Sequence, residues 1–357
     1  LSRSLRVCVI ASSTFPVVQP FAGGMESMTH ALVRGLSARG HEVTLFAAPG
    51  SDPALGVREL PVADLTVSDG AWTDPNAPTR RWMSEHHAYL ALMLDLARTG
   101  GERFDVVHNN SLHHLPVAMA PAISVPVVTT LHTPPVPWLE SAVALATDPG
   151  RFVAVSRHTS EAWAHVTPSR TILNGVDLDA WRRGPGGGPA VWSGRVVPEK
   201  APHLAIDACR AAGVPLVLAG PVSDLAYVER EIWPRLGDGV TYAGHLGAED
   251  LAALVGSASV ALVTPEWDEP YGLVAAEAMA CGTPVAAFAR GALPEVVGPA
   301  GVLAAPGSVP DLARAVRAAA GIDRSLVRAH AVRTCSIDRM LDEYEALFVE
   351  MAGSVAA

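Results

Sequence analysis

The sequence predicts an α/β protein built from two doubly wound halves, and three observations carry that prediction. Short β-branched runs alternate with Ala/Leu/Arg stretches along nearly the whole chain, the pattern of parallel strands with helices on both faces. A run of chain breakers, Arg183-Gly184-Pro185-Gly186-Gly187-Gly188-Pro189, divides the series in two. The length of 357 residues, 49% of them hydrophobic, fits about two domains and supplies ample core.

Taken in order, the first half offers strands at 5–11, 42–46, 106–108, 125–131 and 152–155, each a run rich in Val, Ile or Phe. Helices are expected between them at 25–39, 81–99, 115–120 and 158–164. Residues 49–80, rich in Pro, Asp and Gly, read as a surface excursion. The second half offers strands at 190–193, 215–219, 240–242, 260–263 and 284–287, with helices at 202–212, 225–236, 249–257 and 272–280. From Ser336 to Met351 the residues Ile337, Met340, Leu341, Tyr344, Leu347 and Phe348 share one stripe of an amphipathic helix. The expected domains are therefore 1–168, a crossing and linker over 169–189, a second domain over 190–335, and a terminal helix over 336–357 that packs back on the first domain. Two open parallel sheets facing a central cleft would direct their strand carboxyl ends toward it, so a ligand is expected there.

Composition removes several function classes. The net charge is −10, which gives no general attraction to nucleic acid. No run of about 18 uncharged apolar residues exists, so no membrane span is expected. The apolar run 7–11 follows Arg3 and Arg6 but is too short for a signal peptide and reads as a buried strand. Cys8, Cys209, Cys281 and Cys335 stand far apart without zinc-ligand spacing, as expected of buried thiols in a reducing cytoplasm. Of 26 basic residues only Lys200 is lysine, which points to a place that wants a compact ammonium.

The most informative stretch runs from Pro265 to Val285. A strand ends near Val263, the chain turns, and a helix opens around Gly272, so the amides of Tyr271, Gly272 and Leu273 face out of a helix N-terminus and favour a phosphate. Glu277, among Leu273 to Ala276 and Ala278 to Cys281, is a carboxylate in apolar company that needs a partner, such as the vicinal diol of a ribose. Glu269 stands in the turn, placed for hydroxyls beyond the same phosphates. Gly244-His245-Leu246 follows a strand and offers backbone to a base. His132 ends the strand 125–131 and is expected at the ligand-facing end of the sheet.

The spacing of Glu269 and Glu277, seven residues between them, resembles the E-x7-E motif of retaining glycosyltransferases of the GT-B fold, and the chain is similar to glycosyltransferase family 4. Further segments agree in order: Gly23-Gly24-Met25-Glu26, Asn174-Gly175-Val176-Asp177, and Gly194-Arg195 through Lys200. The resemblance covers nearly the whole chain and implies two Rossmann-like domains, a nucleotide-sugar donor and no metal or other cofactor. It implies Gly23 and Gly24 as bare backbone near the donor, Gly194 in the donor loop, Arg195 and Lys200 as cations on the leaving diphosphate, and His132 as a contact or aid to the donor sugar. Gly291 and Glu295 also resemble a donor-side segment, with Ala292 in place of a frequent second glycine, and Tyr271 stands where Phe is common. Ser156 and Arg157 match an acceptor-side segment, with helix capping by Ser156 an equal alternative, and His108 looks like a family position for which packing is an equal alternative. Asp177-Leu178-Asp179 has the form of a metal-binding Asp-x-Asp, but lies in a turn that is not a metal site in the family.

The implied reaction is transfer of a sugar, with retention, from a UDP-linked donor to a hydroxyl of a soluble sugar or secondary metabolite. Residues 1–168 hold 11 arginines against 14 acids, and 169–357 hold 15 bases against 22 acids, so beyond Arg80 and Arg81 neither half offers an anionic membrane surface a basic patch. Residues 67–82, with Trp72 and Trp82, are the expected acceptor lining. A GT-B sugar phosphorylase or a sugar-nucleotide epimerase would share the phosphate cradle, and a two-lobed solute-binding protein is the alternative from another class. A dinucleotide oxidoreductase is disfavoured, because Ser12-Ser13-Thr14 follows the first strand instead of a Gly-x-Gly-x-x-Gly turn.

Overall fold

The computed structural model describes residues 4–354, which divide into two compact units. The first runs to Ala154, resumes over Ser160–Ile172 and again from Leu341; the second holds Val155–Thr159 and Leu173–Met340.

The first unit is a seven-stranded parallel sheet. In chain order its elements are β1 (Arg6–Ile10), α1 (Gly24–Ala38), β2 (Glu42–Phe46), β3 (Arg58–Leu60), α2 (Arg80–Arg103), β4 (Val106–Asn109), α3 (Leu115–Ala118), β5 (Val127–Leu131), α4 (Pro137–Leu145), β6 (Arg151–Ala154), α5 (Arg157–Trp163), whose first residues belong to the second unit, and β7 (Arg170–Thr171). Across the sheet the order is β3-β2-β1-β4-β5-β6-β7. On one face Cys8, Ile10, Val107 and Val127 meet Tyr89, Leu92, Met93 and Leu96 of α2, apolar positions at helical spacing that come to lie on one side.

The second unit is a six-stranded parallel sheet in the order β10-β9-β8-β11-β12-β13. Its elements are β8 (Ala190–Ser193), α6 (Pro202–Ala212), β9 (Leu216–Ala219), α7 (Leu225–Tyr227), β10 (Val240–Tyr242), α8 (Ala248–Ser257), β11 (Ala261–Val263), α9 (Leu273–Ala280), β12 (Val285–Phe288), α10 (Leu293–Val297), β13 (Gly301–Ala304), α11 (Val309–Ala319) and α12 (Arg324–Thr334). Successive strand residues serve opposite faces. Val191, Val263 and Ala287 pack into one core layer, while Ala190, Trp192, Leu262 and Ala286 pack into the other. In both sheets the order reverses beside the first strand, between β1 and β4 and between β8 and β11, and such reversals leave a crevice at the strand carboxyl ends.

The last helix, α13 (Ile337–Ser354), begins in the second unit and from Leu341 belongs to the first. There Leu341 fills the space of an absent Cβ at Gly35, whose ideal position lies 2.3 Å from the leucine Cδ1. Tyr344 and Phe348 set their rings 4.9 and 5.3 Å from that of buried His108. Each such ring contributes on the order of 1.5–3 kcal/mol by leaving water.

The structure departs from the sequence expectations in specific places. Residues 169–172 stay with the first unit, while 155–159, 173–189 and 336–340 join the second. The run expected to be a linker is packed: Gly184, Gly186 and Gly188 donate backbone hydrogen bonds to Cys281, Gly256 and Ser257, and a Cβ at Gly184 would lie 2.3 Å from the Gly256 oxygen. Its small residues permit this backbone-to-backbone approach. Arg324 adds donors to the carbonyls of Gly184, Gly256, Ala258 and Cys281, and Arg328 to those of Leu178, Trp181 and Ala280. The helix expected over 225–236 is only α7, a π turn (Val228–Ile232) and a 3₁₀ turn (Trp233–Arg235), since Pro234 has no N–H and clashes with a regular helix. The excursion 49–80 contains the edge strand β3 and a 3₁₀ turn (Asp69–Thr73). No helix among the described residues is long and apolar enough to cross a membrane, and all four cysteines are buried free thiols.

Candidate active site

The loops after β8 and β11 meet at the strand-order reversal of the second unit, and they carry Lys200 and Glu269. Lys200 Nζ lies 2.5 Å from Glu269 Oε2, with side chains 24% and 13% exposed. The indole Nε1 of Trp267 donates to the same carboxylate oxygen at 3.2 Å, and the ammonium stands 5.0 Å from the Trp267 ring centroid. The backbone under this trio is firmly held. Thr264 Oγ1 donates to the carbonyls of Lys200 (3.0 Å) and Ala201 (3.1 Å) and accepts from Trp192 Nε1 (3.1 Å). Ala201 adopts φ +44°, rare for a residue with a Cβ and of a kind that concentrates at functional sites. Glu269 is fixed from behind: Ala292 N donates to its carbonyl at 2.8 Å, and a Cβ on Gly291 (φ +58°) would sit 2.3 Å from that same oxygen.

Past this loop, Gly272 opens α9 with φ +93°, no side chain caps the helix, and Leu293 occupies the space of the missing Cβ. Ala275 N and Ala276 N donate to Gly272 O at 2.9 and 3.3 Å, so it is the amides ahead of them, Leu273 and Val274, that lack an intrahelical acceptor, and this end of the helix carries positive potential. Tyr271 is buried, and its hydroxyl donates to the carbonyl of buried Asn174 at 2.6 Å. Burial holds that phenol well above its ordinary pKa, so it remains a donor. Tyr271→Phe is expected to lower stability by about 1–2 kcal/mol, because it leaves a buried carbonyl unmet; chemical denaturation measures it, and an unchanged midpoint would refute the role. The carboxyl group of Glu277, one and a half turns into α9, has no hydrogen-bond partner among the described residues, and burial raises its pKa from 4.5 to about 7.

Three turns at neighbouring strand ends, those of Gly194, Gly220 and Gly244, stack backbone on backbone. Gly220 N donates to Gly244 O at 2.8 Å, Gly194 N donates to Ala219 O at 3.0 Å, and a Cβ on Gly220 would fall 1.8 Å from Gly194 O. All three have positive φ, so glycine at 194 and 244 has a packing reason as well as any role toward a ligand. Arg195 and His245 project from these turns as exposed side chains and Leu246 is partly buried. Asp177 uses its carboxylate to accept from the amides of Asp179 and Ala180, which makes Asp177-Leu178-Asp179 a side-chain-closed turn.

In the first unit, Gly23 is the extended N-cap of α1 and Gly24 its first residue; no side chain caps this helix either, and Glu26 is buried in its first turn. His132 follows β5 and shares a 3.0 Å hydrogen bond between Nε2 and Oδ1 of buried Asn110. Burial lowers its pKa to about 4, so it works as a neutral imidazole at pH 7. His108 is fully buried, bonded through Nε2 to Thr130 Oγ1 (2.8 Å), which shares a 2.9 Å hydrogen bond with the Tyr344 hydroxyl. It supports α13. Ser156 Oγ, in the second unit, accepts from Thr159 N (3.0 Å) as a cap and donates to Pro270 O (2.7 Å), while Glu295 accepts from Arg157 N (3.0 Å).

Comparison with known proteins agrees with this architecture. The model described as Glycosyltransferase Family 4 matches residues 22–180, and that described as Glycosyl transferases group 1 matches residues 189–323. A glycogen synthase of Mycobacterium tuberculosis is 30% identical over 370 residues, covering 88% of this chain and 85% of that protein. The chain belongs to the group 1 glycosyltransferases. Among solved structures, sucrose-phosphate synthase from Thermosynechococcus elongatus superposes on the glycosyltransferase with a TM-score of 0.78 at 20% identity, covering 99% of this chain and 100% of that one. Anabaena Alr3699/HepE in complex with UDP-glucose gives 0.71 at 19% identity, covering 98% and 100%. These likenesses identify the GT-B fold.

The structure of this glycosyltransferase brings Lys200 and Glu269 into one loop pair, with Tyr271 and Gly272 leading directly into α9 and Leu273 and Glu277 on it. Gly23, Gly24 and His132 belong to the other unit. Sequence reasoning missed Trp267, whose indole shares Glu269 with the ammonium, and Thr264, which anchors the lysine backbone. An aromatic two residues before an acid carries no signal of its own.

Proposed function

We propose that this glycosyltransferase moves a sugar from a UDP-linked donor to a hydroxyl of a small soluble acceptor, with retention and without a metal. The observation that carries the reading is the Lys200–Glu269 pair beside the uncapped start of α9, a fixed cation, a carboxylate and helix-end dipoles in one loop system. Lys200 and Arg195 with the amides of Tyr271, Gly272 and Leu273 neutralise the diphosphate; Glu269 accepts from sugar hydroxyls; Glu277 accepts from the ribose diol; and the neutral imidazole of His132 serves the donor sugar. Gly23 and Gly24 offer bare backbone, and the turns at Gly194 and Gly244-His245-Leu246 serve the nucleotide. The sugar–diphosphate C–O bond breaks, the acceptor oxygen bonds to the same face of the carbon, and the acceptor proton passes to the leaving phosphate. The likeness to a structure holding UDP-glucose supports the choice of donor.

A thermal-shift screen with UDP, GDP and ADP tests the donor, since a ligand at 100 times its Kd stabilises by about 2.7 kcal/mol. The anomer of the product, read by NMR, tests retention. No response to UDP, or an inverted product, would overturn the corresponding part.

Glu277 adds a pH signature. Its raised pKa means that the folded protein holds this proton more tightly than the unfolded chain does, so the associated stability is present below 4.5 and lost as pH rises through about 7. A ribose diol requires the carboxylate form, so UDP affinity is expected to fall as pH drops below about 7, and Glu277→Gln to flatten that dependence while weakening binding. Calorimetry between pH 6 and 8 measures both.

A further inference from the structure

Between β1 and β4, where the strand order of the first unit reverses, a column of rings runs from solvent to the sheet. Trp82, 49% exposed near the start of α2, lies parallel to His86 at 5.1 Å and 5°. His86 faces His114 at 6.1 Å and 24°, His114 stacks on His113 at 4.5 Å and 23°, and His113 stacks on buried Tyr89 at 4.3 Å and 13°. The Tyr89 hydroxyl donates to Ala11 O (2.8 Å) at the end of β1, and His113 and His114 follow β4, so both sides of the reversal hold the column. Trp72, the other aromatic of this segment, has one ring face taken up by Arg80 at 4.3 Å.

We propose that the column of Trp82, His86, His114 and His113 is the acceptor subsite and takes an uncharged polyhydroxylated ring, a pyranose or a cyclitol. The proposal rests on the transfer reading above. The exposed indole offers a flat face of the kind that packs against ring C–H groups. The edges offer hydrogen-bonding ring nitrogens. His113 Nδ1 accepts from Leu115 N at 3.2 Å, so its proton resides on Nε2 as a donor, and His86 Nδ1 is buried without a partner. Burial, with His114 and His86 alongside, lowers the His113 pKa to about 3, so the His113 edge stays uncharged at pH 7. Hydroxyls both donate and accept and satisfy such edges, whereas a purely aromatic ligand would leave them unmet. The column itself contains no arginine or lysine to balance a phosphate or carboxylate.

Saturation-transfer NMR with millimolar methyl α-D-glucopyranoside, methyl α-D-mannopyranoside and myo-inositol tests the proposal, with 4-nitrophenol as a separate arm. At least one polyol is expected to receive saturation from the protein, about fivefold less in Trp82→Ala, the size of one ring contact, and to recover in Trp82→Phe. Trp233→Ala, exposed in the second unit, is expected to match the unsubstituted protein. No polyol signal, a signal undiminished in Trp82→Ala, or binding of 4-nitrophenol alone would overturn the proposal. UDP thermal shifts on the same samples separate this outcome from failure of the donor reading, which would remove the UDP response and leave the polyol signal.

Discussion

Lys200→Ala is expected to lower turnover with a UDP-sugar by about 10²–10³-fold, the loss typical of removing one preorganised group from a developing charge. Two effects act in the same direction. On the proposed reading, the departing diphosphate loses a compact cation held on a backbone that Thr264 and the left-handed Ala201 fix in place. Glu269 also loses its ion pair at 2.5 Å and keeps only the Trp267 indole donor at 3.2 Å, so an uncompensated carboxylate faces an incoming anion. The second effect is separable. Glu269→Gln in the Lys200→Ala background is expected to restore part of the UDP binding but not the turnover, because it removes repulsion without supplying positive charge. Steady-state kinetics and UDP thermal shifts on the two single variants and the double variant measure this, and wild-type turnover in Lys200→Ala would contradict the assignment.

Gly220→Ala is expected to destabilise the second unit by more than about 4 kcal/mol, the range reserved for clashes that packing cannot relieve. The new Cβ would fall 1.8 Å from a backbone oxygen, Gly194 O, at φ +140°, where a residue with a Cβ is strained in any case. Neither party is a flexible side chain. Gly213→Ala provides the contrast: φ is +72° and nothing lies within 4 Å of the added atom, so only the left-handed strain of about 1–2 kcal/mol is expected. Thermal melting and soluble yield of the two variants report the difference, and equal melting temperatures would refute the stacked-turn account.

How much of this was legible in the sequence depends on how local the cause is. The opening of α9 was readable, because an acid, Pro270, Tyr271 and Gly272 ahead of an apolar helical run are contiguous. Lys200 was singled out by composition and by its family-like segment, yet its pairing with Glu269 spans 69 residues and follows from β8 and β11 being neighbours, which no local pattern encodes. Gly194 and Gly244 were read as ligand-facing backbone; their contacts with Gly220 became visible only once three strand ends lay side by side. The run 183–189 misled for the reverse reason, since the same small residues that break helices also permit the closest backbone packing. Strands β3 and β7, of three and two residues, are too short to show periodicity.

The return of the last helix bears on how the protein is made. Because Leu341, Tyr344 and Phe348 complete the interior of the first unit, a ribosome that has released only residues up to Ile172 has delivered a sheet whose His108 lacks the rings that cover it. The first unit emerges before the second yet is finished after it, and it must wait through synthesis of the whole second unit with an apolar seam exposed. A fragment cut at that boundary should aggregate unless the α13 peptide is supplied in trans.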